Sequence, residues 1–389
     1  MRAHGTGTSE LDQGRISALL GVPVTELSSA LEGLTAEPVD ESSLRMLTVS
    51  YASGSPATAS LQRVAGRTAG GREWSYFVKL LQHGRHWPAL AHLPTEQAAS
   101  FAAEFPWRDE LRLWDPRIQS TLPPRLRSPV LATIVELPDD HVAVWTEDVR
   151  VDLAATWDLP RFSGAAYLLG RWNARSTSAE VLAVSPFAAG HGLRMYAERS
   201  VPVRGLAPLA DDALWDHPWL VGNRDLRQRL LELGGRIPEF LDTLDELPQC
   251  LPHGDASPQN LLVPLQDPNE AADLVVIDVS FGTPHAVGFD LGQLLVGLVH
   301  AGELPACELP TIADVLVPAY VAGAAAEGLD VSATTVATGF ALSALLRSGF
   351  DAFRLDLLDR RLDDADAAST FAERIALQRV LVDLAAQVS

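Results

Sequence analysis

Lysine is almost missing from this 389-residue chain: of 30 basic residues, 29 are arginine and one is Lys79. A GC-rich coding bias that trades lysine for arginine explains the depletion and leaves the survivor unexplained, because a compact ammonium on a flexible stem is what phosphate sites use. Cysteine is nearly absent too. Cys250 and Cys307 cannot build a disulfide framework, and a reducing cytoplasm is the expectation. No run of about 18 residues is apolar and free of charge, so no membrane-spanning helix is expected. The start, MRAHGTGTSELDQ, lacks the apolar centre of a signal peptide. Positive charge is short as well, with 50 acidic residues giving a net charge of −20. Nucleic acid and anionic membrane are therefore disfavoured as partners. Motifs for a Walker A loop, an HExxH zinc site and a GxSxG elbow are all missing.

What is present is an ordinary globular composition, 47% hydrophobic, in a chain long enough for two lobes. Residues 9–20 and 24–34 read as two short helices around Gly21-Val22-Pro23. The pattern superficially resembles a helix-turn-helix, but its second helix carries no Arg or Lys, so a helical cap on the next lobe is the better reading. From residue 44 the apolar period shortens to two. RMLTVSYA, ASLQRVAG, WSYFVKLLQ, PVLATIVEL and HVAVWTEDV read as strands, with turns at Ser53-Gly54-Ser55-Pro56 and at Pro138-Asp139-Asp140. A helix over 107–115, with Pro106 in its first turn, is expected among them. Beyond Val149 the period is helical over 159–174, 211–220, 224–244, 309–327, 332–358 and 371–388, interrupted by one short β element around 261–278. The expected organisation is a β-rich lobe at 1–148, including the cap at 1–40, and a mostly helical lobe at 149–389 that carries the reaction loop and the acceptor site.

The strongest chemical signal is LPHGDASPQN at 251–260, followed by an apolar hairpin ending in Val275-Val276-Ile277-Asp278. Phosphoryl transfer needs a carboxylate that orients the acceptor and hard oxygen ligands for Mg²⁺. Asp255, Asn260 and Asp278 supply that set, and the five-residue step from Asp255 to Asn260 matches the catalytic-loop spacing of protein kinases. The bland alternative is a polar turn between two strands, with Asp255 and Asn260 as turn formers.

The box His253-Gly254-Asp255 with Asn260 and the later Ile277-Asp278 resembles the aminoglycoside phosphotransferase and choline kinase-like superfamily, in an actinobacterial-type small-molecule kinase. The resemblance runs over most of the chain and implies an α+β, bilobal, protein-kinase-like fold. It implies that Lys79, in Tyr76-Phe77-Val78-Lys79, grips nucleotide phosphates, and that Glu110 rather than Glu104 pairs with it. It further implies that Ser53, Gly54 and Ser55 cover the phosphates, without a GxGxxG pattern, and that Glu147 to Val149 form the hinge holding the nucleobase. Asn260 and Asp278 would hold Mg²⁺, Asp255 would be catalytic, and Asp290 would brace the loop.

Two departures stand out: residues 266–271 enlarge the hairpin tip, and Val279-Ser280 follow Asp278 where an aromatic residue is commoner. The implied activity is Mg²⁺-dependent transfer of the γ-phosphate of ATP or GTP to a hydroxyl of a small molecule, with an aminoglycoside or other antibiotic as one acceptor class. A metabolic kinase for a sugar, amino alcohol or amino acid is the alternative, and a non-catalytic nucleotide-binding pseudokinase is the reading from another class. The acidic run Asp351, Asp356, Asp359, Asp363, Asp364 and Asp366 suits either a cationic acceptor or a solvated helix face. A cytoplasmic monomer or homodimer is expected.

Overall fold

The computed structural model describes residues 9–50, 55–92, 94–265 and 272–388. It divides into two compact units, one of Met1–Trp114 with Ser128–Val151, the other of Asp115–Arg127 with Asp152–Ser389.

The first unit is built on a five-stranded antiparallel sheet of β1 (Val39–Thr48), β2 (Thr58–Thr68), β3 (Glu73–Gln82), β5 (Leu131–Leu137) and β6 (His141–Glu147). Its strand order is β1-β2-β3-β6-β5, so β3 lies at the centre between β2 and β6. The period of two sorts its side chains cleanly. Val78 and, on β6, Ala143 and Trp145 turn to one face, where helices α1 (Ser9–Leu20) and α2 (Leu27–Thr35) bury Ile16, Leu27 and Leu31 against them. Leu81, Val142 and Val144 turn to the other face and pack under Trp107, Leu111 and Trp114. Lys79 is opposite Val144 in the register and so shares that second face.

A helix, α3, covers Thr95–Glu104, and the segment expected to be helical over 107–115 is instead a 3₁₀ turn at Asp109–Trp114. The cause is Pro106, which pushes Phe105 into extended backbone (φ −71°, ψ 122°) and separates the two pieces.

The second unit is helical. After α4 (Pro116–Gln119) come β4 (Leu126–Arg127), α5 (Leu159–Arg175), α6 (Ala179–Leu182), α7 (His191–Val201) and α8 (Ala207–Ala210). Then follow α9 (Arg224–Gly234), α10 (Ile237–Glu246), α11 (Phe289–Ala301), α12 (Leu309–Ala326), α13 (Ala333–Ala344) and α14 (Ala365–Ala386). Short strands β7 (Gln249–Cys250), β8 (Leu261–Leu262), β9 (Leu274–Val276) and β10 (His285–Ala286) frame the loop between α10 and α11. β4 belongs here because it pairs in parallel with β9.

Three expected helices are altered. The span 224–244 is two helices, broken at Gly235-Arg236 before Pro238. The span 211–220 holds only a 3₁₀ turn, Leu214–Asp216. The span 332–358 ends its regular helix at Ala344 and widens into a π-turn over Leu345–Gly349. Helices α7 and α11 were not expected. The enlarged tip at 266–271 lies outside the described residues.

One stretch, Ala306–Ala326, is long and apolar enough to cross a membrane by length and composition, although it carries Glu308 and Asp314 and so is not a charge-free run. In the fold its helix α12 packs along α5 at unusually close range, and glycine makes the approach possible. A Cβ on Gly323 would lie 2.0 Å from the Tyr167 carbonyl oxygen, and one on Gly170 would lie 2.2 Å from that of Tyr320. Gly323→Ala should therefore cost about 1–3 kcal/mol or more through overpacking. Gly14→Ala on α1, where nothing lies within 4 Å, should be neutral or gain up to about 1 kcal/mol from helix propensity. Urea unfolding of the two variants checks the contrast, and equal stability would contradict it.

Candidate active site

In the first unit Lys79 is buried, 8% exposed, and its Nζ lies 2.5 Å from Oε2 of Glu110. The central strand places the lysine and the 3₁₀ turn places the glutamate, so the pair forms without the long helix the sequence suggested. Glu104, the rejected partner, ends α3 and accepts a hydrogen bond from Ser100 Oγ at 2.7 Å. Among the expected phosphate-covering residues, Ser53 and Gly54 lie outside the described residues. Ser55 is described, and its carbonyl accepts from the Thr58 amide at 3.3 Å. At the expected hinge, the Glu147 carboxylate accepts from the Val130 amide and its own amide donates to the Val130 carbonyl, which fastens β6 to the start of β5. Asp148 is held by Ser75 Oγ at 2.7 Å and Arg63 Nε at 2.6 Å. Val149 is half-buried beside them.

In the second unit the 253–260 loop is shaped by backbone that only some residues tolerate. Gly254 sits at φ +88°, and a Cβ there would lie 1.7 Å from the Ser280 carbonyl oxygen. The turn it permits aims the amides of His253 and Gly254 at Asp290, whose buried carboxylate accepts them at 3.1 and 2.9 Å. Asn173 on α5 donates to the same carboxylate at 3.1 Å and also to Tyr320 Oη. His253 is fully buried, packs edge-on to Trp172, and accepts the Asp255 amide through Nδ1 at 3.2 Å. It braces the loop, as does Asp290.

These anchors set Asp255. Its Oδ2 and its carbonyl oxygen accept from Nδ2 of Asn260 at 3.0 and 2.9 Å. The Ile277 amide bonds to the Asn260 carbonyl at 3.1 Å, which ties the loop to the strand leading into Asp278. Asp278 itself adopts a left-handed conformation, φ +56°, uncommon for a non-glycine residue. The fold thus brings Asp255, Asn260 and Asp278 together.

Their chemistry fits a hard divalent cation. Because the Asn260 amide nitrogen is committed to Asp255, its Oδ1 is left as an oxygen donor alongside the Asp278 carboxylate. Burial pushes the Asp255 carboxyl above the usual carboxylate range, and the Asp278 charge adds to this, while Arg347 and Asn260 pull it back.

Arg347 escaped the sequence reading. Its Nη2 donates to Oδ1 of Asp255 at 2.9 Å, its Nη1 donates to the Gly254 carbonyl, and the guanidinium lies 4.1 Å over the Phe281 ring. One signal pointed to it: it is the only charged residue in the apolar stretch FALSALLRSGF at 340–350. Half of the acidic run is neutralised by arginines. Asp351 pairs with Arg204, Asp356 with Arg354 and Asp363 with Arg361, while Asp364 caps α14.

No family model matches the chain, and no curated protein does. Among solved structures it is similar to an aminoglycoside phosphotransferase from Alicyclobacillus acidocaldarius, at 16% identity and a TM-score of 0.52, covering 89% of this chain and 93% of that one. It is also similar to the amicoumacin kinase hAmiN in complex with AMP-PNP, Ca²⁺ and Ami, at 14% identity and a TM-score of 0.51, covering 87% and 88%. The chain has the α+β kinase-like fold of these small-molecule phosphotransferases. The resemblance carried by the 253–260 box and the likeness of fold agree.

The Arg347 contact has a measurable consequence. Removing a cation beside a carboxylate disfavours its ionised form, so Arg347→Gln should raise the Asp255 pKa further. NMR titration of the Asp255 carboxyl in both proteins is the check; an unchanged or lowered midpoint would exclude the guanidinium as a determinant.

Proposed function

We propose that the protein is a Mg²⁺-dependent phosphotransferase that moves the γ-phosphate of a nucleoside triphosphate, ATP or GTP, to a hydroxyl of a small molecule. The observation that supports this most is the commitment of Asn260 Nδ2 to Asp255, which leaves hard oxygens from Asn260 and Asp278 in one loop system with an acceptor carboxylate. Lys79, held by Glu110, grips the nucleotide phosphates. Ser53, Gly54 and Ser55 cover them, and the 147–149 backbone holds the base. Asn260 and Asp278 would hold the metal ion, which would supply charge neutralisation for the transferred phosphate.

Asp255 takes the proton of the acceptor hydroxyl. The acceptor oxygen bonds to the γ-phosphorus, the bond from that phosphorus to the β–γ bridging oxygen breaks, and the nucleoside diphosphate leaves. General-base assistance of this kind is worth about 10²–10⁴-fold. The intact set of Lys79, Asp255, Asn260 and Asp278 favours this reading over a pseudokinase. Pairing of Asp351, Asp356 and Asp363 with arginines favours a metabolic acceptor or an uncharged antibiotic over a polycationic aminoglycoside. Two unbridged cysteines, one of them exposed, suit a cytoplasmic enzyme.

Asp278→Asn replaces a carboxylate with a neutral amide and should abolish Mg²⁺-dependent release of nucleoside diphosphate while the melting temperature stays near normal. Near wild-type turnover in that variant would remove Asp278 from the site.

Lys79 offers a second test, since it is the only side-chain amine in the chain. An acyl phosphate derived from ATP should label one internal peptide, the one holding Lys79, and excess nucleotide should protect it. Lys79→Arg keeps the charge but substitutes a bulkier planar fork, so turnover should fall by orders of magnitude, about as far as in Lys79→Ala. Labelling that nucleotide cannot suppress would return the lone lysine to codon bias.

A further inference from the structure

The second unit holds a cavity of about 560 Å³ whose lining includes Arg347, the residue bonded to Asp255, and Phe281, the ring beneath that guanidinium. The cavity is therefore linked, through Arg347, to the carboxylate read as the acceptor's base. Its charged lining is four arginines, Arg204, Arg347, Arg354 and Arg374, against two aspartates, Asp351 and Asp356. In a chain with 50 acidic and 30 basic residues this local excess runs against the overall balance.

Both aspartates are taken. Asp351 accepts from Arg204 at 3.1 Å and from Tyr196 Oη at 2.5 Å, and Asp356 is bound bidentately by Arg354 at 2.7 and 2.8 Å. Arg374 makes no ion pair among the described residues, although the Asp356 charge acts on it; its Nη2 donates to the His300 carbonyl at 2.7 Å. His300 lines the same cavity, and its Nε2 has no hydrogen-bond partner among the described residues. Burial, then the charges of Arg374 and Arg347, push the His300 pKa down to about 3, so its ring is neutral near pH 7. A half-buried guanidinium bonded only to a carbonyl, beside a neutral imidazole, is a receptor for negative charge.

We propose that this cavity receives the acceptor, and that the acceptor is a hydroxylated molecule bearing an anionic group, a carboxylate or a phosphate, held by Arg374. This rests on the phosphotransferase reading for the role of Asp255, whereas the charge preference of the cavity stands by itself. An ammonium-bearing acceptor would meet arginines and two occupied carboxylates there, an unfavourable field in a partly desolvated site.

The test is equilibrium binding without nucleotide, so that its failure is separate from any failure of phosphotransfer, which the Lys79 and Asp278 variants report. The probes share one pyranose ring: glucuronate, glucose 6-phosphate, glucose and glucosamine. Glucuronate or glucose 6-phosphate should bind at least about tenfold more tightly than glucose, and glucosamine most weakly. Arg374→Gln should erase that preference. Asp351→Asn, which frees Arg204, should strengthen glucuronate binding, a gain that misfolding cannot produce. If neither glucuronate nor glucose 6-phosphate binds better than glucose, or if Arg374→Gln leaves the preference intact, the proposal is overturned. Glucose 6-phosphate against glucuronate then separates a phosphate-selective from a carboxylate-selective cavity.

Discussion

Asp290 has a fully buried carboxylate, and the geometry of the reaction loop depends on how that charge is satisfied. An ionised group in such a place is costly unless several donors meet it. Here two are the successive amides of His253 and Gly254, and a third is the side chain of Asn173 from α5. Meeting them forces Gly254 into the left-handed region and presses it against the Ser280 carbonyl. The same carboxylate thus fixes the loop on one side and helix α5 on the other, while the Ser280 amide, bonded to the His253 carbonyl, joins the segment after Asp278 to them. Asp255 and Asn260 inherit their positions from this arrangement, which is why a residue with no chemical role is among the most constrained.

The first unit shows a comparable economy around Lys79. The alternation of β3 sends Val78 into the core under α1 and α2 and Lys79 to the opposite face, where Val142, Val144, Trp107 and Leu111 exclude water. An ammonium there is tolerated because Glu110 meets it at 2.5 Å. Arginine fills nearly every other cationic position in the chain, so a site that keeps lysine is one where size and point charge both matter.

The sheet was legible because a period of two is short enough to survive interruptions, and the 253–260 box because its spacing is dictated by chemistry. Helix α11 was not, since it is buried on every side except near its end and so carries no polar face to mark a period. Helix α7 is likewise preceded by Gly190 in place of a side-chain cap. The long helices expected over 224–244 and 332–358 were overextended for local reasons, a Gly-Arg-Ile-Pro break in one and a π-turn in the other. Arg347 sits in that π-turn. A period of 3.6 would have assigned it to an unremarkable helix face, and only the altered turn and its three-dimensional neighbours reveal the contact with Asp255.

Charge separates the two scales on which the sequence was read. The net −20 is a property of the whole chain and suits solubility, and by itself it disfavoured only polyanionic partners. In the cavity lined by Arg347 that sign is reversed. Three aspartates of the run 351–366 are bound to arginines two residues away or on another helix, Asp356 by Arg354, Asp363 by Arg361 and Asp351 by Arg204. Counting residues could not distinguish a carboxylate open to a ligand from one already neutralised, because pairing depends on side-chain direction. What remains after the pairs are formed is the guanidinium of Arg374, and a ligand senses that remainder rather than the total.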